Sequence, residues 1–155
     1  MNPHDTLPDT DEHVRFAAHL DELRQAADVD EVDLVRRVLT DPDPTMAQSA
    51  VLRHVDRRAA GLCHDPAYEA WVRAMAQAVS GLPFLTRRLR EWSLLRAVTL
   101  HLPWHPDDLL TASNWLQLKA AATANTEARQ VLAEAGRTKR IRNTAGAGLD
   151  RRAER

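Results

Sequence analysis

Cysteine, lysine, isoleucine and glycine are all scarce in this chain of 155 residues, which has one cysteine, two lysines, one isoleucine and five glycines. The lone Cys63 permits no internal disulfide, which excludes a disulfide-stapled scaffold and fits a reducing compartment. Isoleucine favours strands, so its near-absence argues against a sheet protein. No apolar run approaches the roughly 18–20 residues that cross a bilayer. The first twelve residues are polar and acidic, without a basic stretch or an apolar stretch, so no signal peptide is expected. Lysine is outnumbered by 19 arginines, a bias that reads as GC-rich bacterial coding and carries no chemistry of its own. These scarcities place the chain in the cytoplasm.

Alanine and leucine are plentiful, with 25 and 20 residues. Both lose little conformational freedom in a helix, so the composition predicts an all-α protein. The punctuation predicts about eight short helices. Asp9 with Glu12 resembles a capping box ahead of Phe16, Leu20, Leu23 and Ala27. Asp30 starts a second helix that ends before Pro42. Asp43-Pro44 starts a third, with a capping carboxylate followed by a residue that has no N–H to satisfy. Asp65-Pro66 repeats that signal for a fourth helix carrying Tyr68, Trp71, Met75 and Val79. Gly61-Leu62 and Gly81-Leu82 read as left-handed stops. A fifth helix begins near Pro83. The sixth runs from Pro106 through Leu109, Leu110, Ser113, Leu116 and Ala120. A seventh is capped by Asn125 or Thr126 and stops at Gly136, and an eighth starts at Thr138. The expected organisation is a flexible N-terminus over 1–8, a single all-α domain over 9–149 and a charged, frayed tail over 150–155.

Leu39-Thr-Asp-Pro-Asp-Pro-Thr-Met-Ala-Gln-Ser-Ala-Val-Leu52 resembles the turn and second helix of a HEAT-type repeat. Ala133-Glu-Ala-Gly-Arg-Thr-Lys-Arg-Ile-Arg-Asn-Thr-Ala145 is similar to the same pattern. The two segments cover about a fifth of the chain. The resemblance implies a curved antiparallel helical array that serves as a protein-binding surface, and it brings no catalytic residues. Residues 62–124 do not show the repeat, so an irregular helical bundle stands beside the array as an expectation.

Chemistry-bearing residues are few. Cys63-His64-Asp65 sets a thiol beside an imidazole and a carboxylate, but adjacency in sequence does not orient a base on a nucleophile. His101 and His105 have metal-ligand spacing on a helix, which Pro103 and Pro106 interrupt. The expectation is therefore no catalytic residue, no metal and no cofactor. Arg87, Arg88, Glu91 and Trp92 form the densest polar cluster in an apolar helix and are the candidate surface for a protein partner.

The net charge of −1 hides an asymmetry. Residues 1–66 hold 14 acidic and 7 basic side chains, whereas residues 67–155 hold 8 and 14. Such polarity can steer an acidic partner or a second copy of the chain. The run from Arg137 through Lys139, Arg140 and Arg142 carries the alternative of nucleic-acid binding through phosphates. The leading expectation is a non-enzymatic protein-interaction or scaffold module. Nucleic-acid binding comes second, and an enzyme is the weakest reading.

Overall fold

The computed structural model describes the backbone of residues 7–153 and the side chains of residues 11–153. It is all-α, with nine α-helices among the described residues: α1 (Leu7–Gln25), α2 (Glu31–Val38), α3 (Pro44–Leu62), α4 (Tyr68–Ala78), α5 (Pro83–Thr99), α6 (Pro106–Thr111), α7 (Asn114–Ala121), α8 (Thr126–Ala135) and α9 (Lys139–Ala153). A single turn of tighter helix, Asp28–Asp30, precedes α2. The chain divides into two compact units, residues 1–89 and 90–155, with the boundary inside α5.

In the first unit α1 packs on α3 and α2, and α2 packs on α4. The apolar stripe of α3 is buried as its periodicity demands, with Ala47, Ala50, Val51, Val55 and Ala59 inaccessible to solvent. All five are smaller than leucine and three are alanine, so neighbouring backbones can approach α3 closely. Tyr68, Trp71, Met75 and Val79 bury the predicted face of α4, with the Tyr68 and Trp71 rings 5.8 Å apart. Leu23 is the buried anchor of α1, while Phe16 is half-buried beneath the guanidinium of Arg53 at 5.2 Å.

In the second unit α9 packs on α8 and α7, and α6 packs on α7 and α8. Leu109, Leu116, Ala120, Leu132 and Ala145 are fully buried there, and Ile141 nearly so. Gln117, also fully buried, ties three backbones together. Its Nε2 donates to the carbonyls of Leu109 and Leu110 at 3.1 Å each, and its Oε1 accepts from the Arg137 N–H at 2.9 Å. All of its major hydrogen-bonding capacity is met, which is what makes a buried amide tolerable.

The caps follow the sequence at several starts and depart from it at others. Asp43 accepts from the Met46 N–H with Pro44 in the first turn. Asn125, not Thr126, caps α8 through Ala128, and Thr138 accepts from the Ile141 N–H. Asp65 closes a turn onto the Ala67 N–H, so α4 begins at Tyr68 and not at Pro66. The α1 helix already runs at Leu7, which puts Asp9 inside the helix and not at its cap. Of the two expected left-handed stops only Gly81 has a positive φ, 84°, because α3 simply continues through Gly61 to Leu62. The expected sixth helix is two helices: the backbone is extended at Ala112 and Ser113, and the Ser113 hydroxyl caps α7 by accepting from Leu116 at 3.2 Å. Residues 150–153 are helical, where fraying was expected from 150. Residues 1–6 and 154–155, parts of the expected flexible terminus and tail, lie outside the described residues.

Candidate functional site

The cluster Arg87, Arg88, Glu91 and Trp92 does not form one surface patch. The buried stripe of α5 runs through Leu85, Leu89, Trp92, Leu95 and Val98, and Glu91 lies beside it at 6% exposure. Glu91 accepts two bonds from Ser113, from its N–H at 2.8 Å and from its hydroxyl at 2.5 Å, and so fixes the residue that caps α7. Trp92 is 5% exposed and meets Trp115 edge-on at 5.4 Å, with the Lys119 ammonium over both rings. Both residues serve packing, and the expectation that they face a partner is corrected. Arg88 is half-buried and pairs with Asp56 at 3.2 Å. Arg87 is exposed.

The aromatic that α5 does expose is Phe84. It leaves 58% of its surface in solvent, one turn before Arg87 on the same helix. The sequence contained this signal, since Phe84 falls one position off the stripe set by Leu85, Leu89 and Trp92.

The four basic residues of the nucleic-acid alternative split in the same way. Arg137 donates to Asn114 Oδ1 at 2.9 Å and to the Leu110 carbonyl at 3.4 Å, and Arg142 donates to the Gly136 carbonyl at 2.8 Å. These two brace the turn between α8 and α9. Lys139 and Arg140 project into solvent at the start of α9.

Cys63 is buried while His64 and Asp65 are exposed, so these three do not converge. His105 uses Nδ1 to accept from the Asp107 N–H and so caps α6. His101 lies in the 100–105 connection with φ at 57°, and Asn125 reaches its Nδ1 at 3.4 Å. The two histidines have separate local partners. Among the described residues no group of three or more His, Cys, Asp or Glu side chains has a metal-holding arrangement.

A network that sequence reasoning missed lies in the first unit. Glu31 of α2 and His54 of α3 are 4% and 3% exposed and meet at 2.6 Å. Arg58 donates to both Glu31 oxygens, at 2.8 and 3.3 Å, and Arg57 donates to His54 Nδ1 at 3.1 Å. An arginine only donates, so Nδ1 is the acceptor and the Nε2–H of His54 points at Glu31. Burial pushes the Glu31 carboxyl upward, but hydrogen bonds from His54 and Arg58 and the Arg58 charge outweigh it and hold it at about 2, against 4.5. The arrangement holds α2 on α3. Glu31 and His54 are buried, whereas Arg57 is exposed and Arg58 half-buried at the edge of the network.

Comparison with family models, with curated proteins and with solved structures found no match.

Proposed function

We propose that the chain is a non-enzymatic helical interaction module, resident in the cytoplasm, that binds another protein through the outer face of α5. The observation that carries this reading is Phe84, a large aromatic with 58% of its surface exposed and Arg87 one turn away. Aromatic and arginine side chains supply most of the energy at protein contacts, and an exposed aromatic gains apolar burial on binding. The ionisable groups buried in the molecule support the same reading, because Glu31, His54 and Glu91 are committed to partners within the fold. Residues 39–52 form a turn and the first half of α3, and residues 133–145 the end of α8 and the start of α9, which is the helix–turn–helix form that a HEAT-like array requires. Cys63 is the single cysteine of the sequence and is buried, so the chain holds no internal disulfide, which supports a reducing compartment. Self-association through opposite charge is a variant of the proposal. Residues 1–89 hold 15 acidic and 10 basic side chains, and residues 90–155 hold 7 and 11.

The test is affinity capture from the native host with wild type and with a Phe84→Ala/Arg87→Ala variant. Both should unfold at similar denaturant concentration, and the variant should lose most of the captured partner, about tenfold or more for an aromatic anchor worth roughly 2 kcal/mol. Equal recovery from both would rule out this face.

The exposed pair Lys139 and Arg140 favours nucleic acid as a second reading. Under it, a gel shift at low salt should show binding that weakens steeply as salt rises and drops further in Lys139→Ala/Arg140→Ala. Absence of any shift at low salt removes this reading.

A further inference from the structure

We propose that a cleft in the second unit binds a phosphate ester attached to a planar ring, the chemistry of a nucleotide. This site is independent of the α5 face and uses none of its residues. Two adjoining cavities, about 590 and 340 Å³, share His101 and Arg152 in their walls. Together they fall in the size range of small-ligand sites. The larger is basic, lined by Arg129, Arg151 and Arg152 with His101 and Gly148. The smaller is lined by Leu102, Pro103 and the half-buried Trp104, with Glu127 the one carboxylate among the lining residues.

The guanidinium groups are held in place by neutral acceptors. Arg129 donates to the carbonyls of Gly148 at 3.1 Å and Ala122 at 3.5 Å. Arg152 donates to the Ala124 carbonyl at 3.3 Å and to the Thr126 hydroxyl, and Arg151 to the Ala147 carbonyl at 3.4 Å. Among the described residues no carboxylate forms an ion pair with any of the three. The Nε–H of Arg129 is buried without an acceptor. Three guanidinium groups that line one cavity, none in an ion pair with a carboxylate among the described residues, attract a dianion, and arginine matches the oxygens of phosphate in pairs.

Two further features make this a built site and not a chance grouping. Gly148 sits where a Cβ would lie 2.6 Å from Arg129 Cζ, so the missing side chain makes room for the guanidinium against α9. His101 takes a left-handed backbone, φ 57°, which L-residues adopt rarely, and it lines both cavities. Beside it, Trp104 offers an aromatic face for a base, and Glu127 an acceptor for a sugar hydroxyl.

Calorimetric titration of the full chain with AMP, adenosine and inorganic phosphate tests the assignment. AMP should bind, and each fragment should bind at least about tenfold more weakly, because each fills one half of the cleft. Arg129→Gln and Arg152→Gln should each weaken AMP about tenfold. Gly148→Ala, which displaces Arg129, should do the same. Trp104→Ala should weaken AMP while leaving inorganic phosphate unchanged. Should a core-facing variant fail to fold, the exposed Arg151→Glu keeps the test decisive, with the same loss expected. A short oligoadenylate that binds more tightly than AMP identifies a strand as the source of the nucleotide; equal or weaker binding identifies the free nucleotide. No AMP binding at millimolar concentration in low salt, or adenosine binding as well as AMP, would overturn the proposal.

Discussion

Replacing Glu31 by glutamine is expected to lower the unfolding free energy by about 3 kcal/mol at neutral pH, the usual cost of breaking a buried, hydrogen-bonded ion pair. The amide keeps the shape of the carboxylate but removes the charge that Arg58 and the His54 Nε2–H face at 2.8 and 2.6 Å. The same residue sets a pH dependence. Its carboxyl is held down at about 2 in the folded protein, against 4.5 ordinarily, so the folded state binds this proton more weakly than the unfolded chain does. The stability it contributes is therefore complete above about 4.5 and is lost as pH falls toward 2. A depression of this size corresponds to about 3 kcal/mol. Denaturant unfolding of wild type and Glu31→Gln across that window should show the gap between them closing as the pH drops. A constant gap, or a variant as stable as wild type at neutral pH, would deny the network this role.

Gly136→Ala is expected to cost about 2–3 kcal/mol, at the upper end of overpacking effects. The residue is buried between α8 and α9, and an added Cβ would lie 2.5 Å from the Leu132 carbonyl oxygen and 2.7 Å from Ile141 Cγ2. A backbone oxygen cannot step aside as a side chain can, so the turn that joins the two helices must open. Gly146→Ala is the internal control. It lies within α9 with nothing within 4 Å of a new Cβ, and should stabilise the protein by about 0.5–1 kcal/mol through helix propensity alone. Opposite signs for the two substitutions in thermal unfolding would confirm that contact decides the outcome; equal effects would contradict it.

How much of this was legible depended on the range of the interaction. Asp43-Pro44, Asn125 and Thr138 were readable because a cap is a contact over three residues and leaves a local signature. Ser113 was not readable as a cap, because Leu109, Leu110, Leu116 and Ala120 fit one continuous helix and nothing local demands the break. The demand comes from Glu91, 22 residues earlier, which holds Ser113 in its extended conformation. Gly61 and Gly81 share a Gly-Leu signature and differ in backbone, since sequence permits a left-handed stop but does not impose one. The Glu31–His54 pair spans 23 residues, and only the position of His54 on a buried stripe hinted at it. On α5, chemistry misled where periodicity would have served. Trp92 drew attention as the large aromatic beside arginines, whereas the helical period places it inside and leaves Phe84 outside.

The proposed partner face rests on that contrast between the buried Trp92 and the exposed Phe84. In-cell photocrosslinking with Phe84→p-benzoylphenylalanine tests it most directly, with the same analogue at Val29, 84% exposed, as the control for indiscriminate contact. The account predicts a discrete protein adduct at position 84 that is absent at position 29. No adduct at 84, or the same adducts at both positions, would contradict it.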